Sequence, residues 1–128
     1  MKSKKELEFE MAFFEGILKE KPLHVDALKR LAETYSKVGE YRKGLELDLR
    51  LVRLCGDDPL AHYNLACSYA LIQEKEKAIR ALQCACRLGY DDFGYMLMDQ
   101  DLRGLHGDAK FRALIEQEAR KKKPLQRE

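Results

Sequence analysis

The sequence predicts an all-α fold made of stacked pairs of helices, and three observations support this prediction. The chain of 128 residues contains only three prolines and eight glycines, which disfavours a β architecture with many turns. Apolar residues recur at the three- and four-residue intervals of helices. In addition, segments 25–58 and 59–92 align without a gap, so the chain contains an internal repeat.

Each repeat is predicted to be two helices joined by a short turn. The first helix of repeat 1 (25–58) has an apolar stripe at helical spacing, formed by Leu28, Leu31, Tyr35 and Val38. Gly39 then suits a left-handed helix end. The apolar face of the second helix is predicted to run through Leu45, Leu49 and Val52.

Repeat 2 (59–92) follows the same pattern, with one difference from repeat 1 in the second helix. The apolar face of that helix in repeat 2 is formed by Ala78, Ile79, Leu82, Ala85 and Cys86. In repeat 1 the place of Leu82 is taken by Asp48. Because a buried, unpaired carboxylate is costly, we expect the helix to be rotated so that Asp48 meets solvent or a basic neighbour. A polar contact to a partner is the alternative.

The pattern of the repeats resembles the tetratricopeptide repeat family, whose period is 34 residues. The family positions are occupied in repeat 1 by Leu28, Leu31, Ala32, Tyr35, Gly44, Asp48, Leu51 and Gly56. In repeat 2 they are occupied by His62, Leu65, Ala66, Tyr69, Ala78, Leu82, Ala85 and Tyr90. Both closing prolines are absent, and Asp48 departs from the family pattern. The resemblance implies a right-handed α-solenoid of about two and a half repeats with a helical C-terminal cap.

The resemblance extends to both ends, so that 1–128 is predicted to be a single domain. Residues 6–24 resemble the second half of a repeat, with an inner face of Phe14, Ile17 and Leu18. Residues 93–119 resemble the segment that often closes bacterial tetratricopeptide arrays. Within it, Asp108 is predicted to cap a last helix whose inner face is Phe111, Leu114 and Ile115. Residues 120–128 form a basic tail.

Charge and cysteine content narrow the classes of function. The net charge is +2, and most of the excess lies in the basic tail, whereas a nucleic-acid-binding protein is expected to have a basic face on its folded part. Weak RNA binding through the tail stays as an alternative. The sequence has no apolar run of about 20 residues and no export signal, which favours the cytoplasm and no membrane partner. The four cysteines lack zinc-site spacing, and we expect them to pack in the core.

No catalytic motif is present in the sequence. The three histidines are widely separated, and none belongs to a nucleophile motif or a metal-binding pair. We therefore expect no enzyme activity, no cofactor and no metal. The predicted function is a protein-interaction adaptor or scaffold.

The resemblance also implies where a partner binds, because the first helices of tetratricopeptide repeats line a concave groove. The corresponding positions, with Asn64 beside them, are Asp26, Lys29, Glu33, Lys37, Leu60, Tyr63, Asn64, Cys67 and Leu71. We expect the groove to hold a peptide or helix of another protein, with Tyr63 as its anchor. Lys29 and Asn64 match two places of a clamp that binds the acidic tails of chaperones, but Glu33 would repel such a tail.

Two alternatives to a free groove follow from its apolar half. The chain's own N-terminal helix or residues 93–98 can cover it. A second copy can also cover it, which would make a homodimer through Leu60, Tyr63 and Leu71.

Overall fold

The computed structural model describes residues 1–122, and all regular structure in that range is helical. Seven α-helices and one 3₁₀ helix (η1) follow one another within these 122 described residues. In order they are α1 (Lys4–Glu20), α2 (Val25–Lys37), α3 (Tyr41–Leu54), α4 (Pro59–Leu71), α5 (Lys75–Arg87), α6 (Phe93–Met98), η1 (Gln100–Leu105) and α7 (Ala109–Lys122). The chain divides into two compact units, Met1–Asp57 (unit 1) and the part from Asp58 onward (unit 2).

In unit 1, α2 packs against both α1 and α3. The core of this unit is made by side chains of α2 and α3, namely Leu28, Leu31, Ala32, Tyr35, Leu47 and Leu51. From α1, Met11, Phe14 and Leu18 pack against this core, while the predicted inner residue Ile17 is half-buried. Ser3 and Glu6 form a capping box that fixes the start of α1.

In unit 2, α4 and α5 form the hairpin of repeat 2, with η1 packed against α4 and α7 packed against α5. Its largest fully buried side chains come from four different helices and are Leu82, Met96, Leu102, Leu105 and Phe111. The face predicted for α5 is buried along its whole length. The side chain of Asp108 accepts hydrogen bonds from the backbone of Lys110 and Phe111, and the three inner residues predicted for α7 are buried.

The two hairpins repeat each other in backbone detail. Gly39 and Gln73 hold equivalent places, and both have left-handed backbone angles, with φ of 85° and 67°. One residue later, the amides of Glu40 and Glu74 donate to the carbonyls of Tyr35 and Tyr69 at 2.8 and 2.9 Å. The alignment of the sequence segments is therefore also an alignment of structure.

The predicted inner face of α3 is wrong. The residues that α3 buries are Gly44, Leu47, Asp48 and Leu51, while the predicted Leu45, Leu49 and Val52 are only half-buried. Asp48 consequently does not reach solvent, since it is only 6% exposed. The physical reason is the repeat itself, because α3 keeps the orientation in which Leu82 of α5 is buried.

Part of the basic tail lies in the described region. At the end of α7, Lys121 pairs with Glu118 at 3.1 Å, and Lys122 pairs with Asp91 at 3.3 Å. Residues 123–128, on which the predicted tail also rests, lie outside the described residues.

Candidate functional site

The candidate site is the face of α4 that η1 covers in unit 2, together with α6, which packs against η1. At its centre, the hydroxyl of Tyr63 donates to Asp99 Oδ2 at 2.6 Å, and the thiol of Cys67 lies 3.7 Å from the same oxygen. The other oxygen, Asp99 Oδ1, accepts from the backbone amide of Asp101 at 3.0 Å and so caps η1. Asp99 is thus buried with both oxygens engaged, which is what a carboxylate inside a protein requires.

Two further tyrosines surround Tyr63. The ring of Tyr90 stacks on that of Tyr63 at 4.5 Å between centroids and an interplanar angle of 8°. The ring of Tyr95 is tilted against it at 6.3 Å. Stacked and tilted aromatic pairs at these distances are attractive beyond the area that they bury, so the three rings form a rigid base.

Burial and negative charge raise the pKa of the three tyrosines and of Asp101 around Asp99. Burial, helped by the hydrogen bond to Asp99, holds the pKa of Tyr63 far above its ordinary value. Burial raises the pKa of Tyr90 to about 12, although its hydrogen bond with Tyr63 acts in the opposite direction. The charge of Asp99, followed by burial, raises the pKa of Tyr95, and burial followed by the charge of Asp99 raises that of Asp101.

Large apolar side chains remain exposed on the two helices, α4 and α6, that carry Tyr63 and Tyr95. Leu60, which precedes Tyr63 by one turn of α4, is 56% exposed, while Tyr95 and Met98 are 54% and 77% exposed. Tyr95 and Met98 share one face of α6, because residues three apart lie together on a helix. We refer to Leu60, Asn64, Tyr95 and Met98 as the α4–α6 surface.

The structure corrects the expected role of two residues in repeat 2. Tyr63, the predicted anchor, is only 4% exposed, and Cys67 is also buried. The contacts of these two side chains include Tyr90, Tyr95 and Asp99, of which only Tyr95 lies in the segment 93–98 considered above as a cover. Leu60 and Asn64 are exposed, and Leu71 is half-buried.

The positions predicted in repeat 1 lie on the surface of unit 1. Asp26, Lys29, Glu33 and Lys37 are all exposed on α2, and Glu33 pairs with Lys37 at 3.7 Å. They form a stripe of mixed charge. Among the predicted residues, the four of α2 lie in unit 1 and the five of α4 lie in unit 2.

Cys67, Asp99 and Asp101 offer three potential ligand atoms within 4.8 Å of one another, the one such group found among residues 1–122. The hydrogen bonds of Asp99 to Tyr63, Cys67 and the Asp101 amide account for this geometry. Three donors also fall one short of the four that a structural zinc site uses. The cluster by itself therefore does not define a metal site.

Sequence reasoning did not single out four residues that shape this site, namely Tyr90, Tyr95, Met98 and Asp99. The available signal was local composition, because tyrosine and aspartate are concentrated between 90 and 101. Tyr90 also stands where the family pattern has its closing proline.

Two further observations concern the length and hydrophobicity of the helices and the state of the cysteines. None of the helices in residues 1–122 is long and apolar enough to span a bilayer. None of the four cysteines, all within residues 1–122, forms a disulfide. Cys67 and Cys86 are buried as predicted for core residues, whereas Cys55 and Cys84 are only half-buried. Burial raises the pKa of the Cys86 thiol to about 11, which keeps it protonated at neutral pH.

Paired helices with equivalent turns, closed by a helical cap, define the tetratricopeptide type of α-helical repeat fold. Comparison with solved structures agrees. The chain is similar to MamA 41-end from Desulfovibrio magneticus RS-1, with a TM-score of 0.65 and 24% identity over 91% of this chain and 68% of that one. It is also similar to the MamA RS-1 ArsTM double mutant, with a TM-score of 0.66 and 22% identity over 94% of this chain and 70% of that one. The all-α tetratricopeptide-like fold predicted from the sequence is thus confirmed.

Sequence comparison gives a relative of much greater length. The chain is 32% identical over 111 residues to a chloroplastic protein from Arabidopsis thaliana, and the match covers 80% of this chain. It spans only 32% of the length of that relative. No protein-family model matches the chain.

Proposed function

We propose that the protein is a non-catalytic adaptor that binds an apolar segment of a partner protein, as a peptide or helix, on the α4–α6 surface. The observation that carries this proposal is the exposure of Leu60, Tyr95 and Met98 on the two helices that carry the stacked Tyr63 cluster. Exposed apolar side chains grouped on a rigid support are typical of protein interfaces, where aromatic residues supply much of the binding energy.

The charged stripe of α2 is proposed as a second contact surface. Asp26, Lys29, Glu33 and Lys37 carry both signs of charge, so they favour a polar partner segment over a strongly acidic or basic one. Because exposed charge pairs are worth about 0–1 kcal/mol, we expect this stripe to affect the rate and specificity of binding more than its strength.

The chemistry near Tyr63 supports a binding role over a catalytic one. A general acid or base works best with a pKa near the working pH, whereas burial and Asp99 move the pKa of Tyr63 and Tyr95 away from neutrality. For the compartment we propose the cytoplasm, which suits four free thiols. The chloroplastic relative from Arabidopsis makes a chloroplast the alternative.

The proposal is tested with a photo-crosslinking amino acid placed at position 95 and, as a control, at position 97. Leu97 is 50% exposed on the same short helix, but residues two apart point about 160° away from each other on a helix. In extract of the native cells we expect a defined cross-linked protein from position 95 and not from position 97. Equal labelling from both positions, or from neither, would contradict the proposal.

The captured protein is then purified and its affinity measured by titration calorimetry. Leu60→Ser is expected to weaken binding about tenfold or more, because it removes apolar contact at the centre of the surface. Leu97→Ser is the matched control and should leave the affinity within about twofold, since its side chain lies outside the surface. Equal losses for the two variants would show that the α4–α6 surface is not the binding site.

A further inference from the structure

The outer face of α1 in unit 1 carries a second exposed apolar feature. The inner side chains Phe14 and Leu18 pack against the unit 1 core. Phe9 lies about 140° around the helix from Phe14, and Phe13 lies between them, with its ring edge-on to that of Phe14 at 5.1 Å. Phe9 and Phe13 are 73% and 54% exposed, so α1 is apolar on two sides while unit 1 covers only one of them.

The outer stripe contains more than the two phenylalanines. At helical spacing it consists of Lys5, Phe9, Ala12, Phe13, Gly16 and Glu20, all of them exposed. A Cβ atom added at Gly16 would meet nothing within 4 Å, so the helix surface is open there. Large side chains therefore lie beside small residues along one face, the arrangement that lets two helices approach closely.

This stripe is complementary to itself when two copies of α1 run antiparallel. If a two-fold axis passes between Ala12 and Phe13, position 9 of one copy lies level with position 16 of the other. Phe9 then lies level with Gly16 of the second copy and Phe13 lies level with Ala12, so each large side chain faces a small residue. At the two ends, Lys5 lies level with Glu20 of the second copy. We propose that two copies of this chain associate through this stripe as an antiparallel pair of α1 helices.

The charges at the two ends of the stripe favour a second copy of the chain as the occupant. They also favour the antiparallel over the parallel orientation of the two α1 helices. A parallel pair would place Lys5 against Lys5 and Glu20 against Glu20, whereas the antiparallel pair gives two attractive contacts. Within one helix these charges are unfavourably placed, because the helix dipole favours acidic residues near the N-terminus and basic residues near the C-terminus. Pairing between copies explains this placement. An isologous contact of this kind closes on itself and produces a dimer.

The proposal is tested by sedimentation velocity on the full chain between about 1 and 200 μM, a range that covers micromolar association. The unmodified chain is expected to form a dimer within this range. Lys5→Glu and Glu20→Lys, each alone, place like charges together and should weaken the dimer about tenfold or more. The double variant restores opposite charges and should recover the dimer. Glu8→Lys, an exposed change outside the stripe, is the control and should have little effect.

A further variant separates association from folding. Gly16→Leu fills the recess that receives Phe9, so it should weaken the dimer, yet leucine favours the helix more than glycine does. Thermal unfolding of the variant at a concentration where the chain is monomeric should therefore show equal or greater stability. A monomer throughout the concentration range would overturn the proposal. A dimer that is indifferent to Gly16→Leu, or that the double charge variant does not rescue, would overturn it as well.

Discussion

At the scale of single residues, the contact between Tyr63 and Asp99 organises unit 2. These residues lie 36 positions apart in the chain, and their hydrogen bond of 2.6 Å joins α4 to the start of η1. A buried carboxylate is tolerated only when its oxygens are satisfied, and here a hydroxyl, a thiol and a backbone amide satisfy them. The same contact fixes the ring on which Tyr90 and Tyr95 rest.

Removing the hydroxyl of Tyr63 tests this role. Tyr63→Phe keeps the ring and its stacking but withdraws a hydrogen bond from a buried carboxylate, so we expect a loss of about 2 kcal/mol in the free energy of unfolding. Urea denaturation measures this loss. Tyr95→Phe, at a residue that is 54% exposed, serves as the control and should change the stability by less than about 0.5 kcal/mol. A similar effect of both changes would contradict the role given to the Asp99 contact.

Asp101 predicts a pH dependence whose sign follows from its pKa. Burial and the charge of Asp99 raise the pKa of Asp101 above its ordinary value of 3.8. Below pH 3.8 the Asp101 carboxyl is neutral and its full contribution to the free energy of unfolding is present. This contribution is lost as the pH rises through the raised pKa of Asp101, because the carboxyl then becomes charged. Asp101→Asn should increase the urea midpoint at pH 7 and lose this advantage below the ordinary pKa. An advantage that does not depend on pH, or a loss at pH 7, would refute this view of Asp101.

At the scale of elements, the period of the sequence was sufficient to predict the helix pairs. The repeated apolar stripes predict that α2 pairs with α3 and that α4 pairs with α5. Gly39 predicts the position of the turn in repeat 1, because a left-handed backbone angle favours glycine. The equivalent Gln73 adopts the same angle without that signal. The capping of α7 by Asp108 was also predictable, since it depends on residues close together in the chain.

Other parts of the structure depend on contacts that the period does not encode. The orientation of α3 was predicted by maximising its apolar face, whereas the packing of the repeat buries Asp48 instead. The covering of α4 by η1 depends on Asp99, which has no counterpart in either repeat. The sequence therefore predicted Tyr63 of α4 as an exposed anchor, whereas the structure makes it a buried support.

The α2–α3 hairpin gives a prediction at this scale. A Cβ atom added at Gly44 would lie 3.5 Å from the Ala32 carbonyl oxygen and 3.8 Å from Tyr35 Cβ, both ordinary contact distances. Repeat 2 already has Ala78 at the equivalent position. Because glycine is unfavourable inside helices, Gly44→Ala should stabilise the protein by about 0.5–1 kcal/mol. A fall in the thermal midpoint would show that α2 and α3 pack more closely than the structure indicates.

At the scale of the whole molecule, three surfaces with different chemistry lie on a chain of nearly balanced charge. The outer stripe of α1 and the charged stripe of α2 belong to unit 1, and the α4–α6 surface belongs to unit 2. Within residues 1–122, the basic end of α7 is partly neutralised by the pairs of Lys121 and Lys122. Distinct contact surfaces on one small repeat protein suit the proposed adaptor, which holds a partner on one surface while pairing with a second copy through another.

The central claim, that the α4–α6 surface is where a partner binds, is tested most directly by nuclear magnetic resonance. The ¹⁵N-labelled chain is titrated with the purified segment of the protein captured at position 95, and its amide shifts are followed. We predict that the largest changes fall at the start of α4 around Leu60 and along α6 around Tyr95 and Met98. Changes confined to α1, α5 or α7, with α4 and α6 unaffected, would contradict the account.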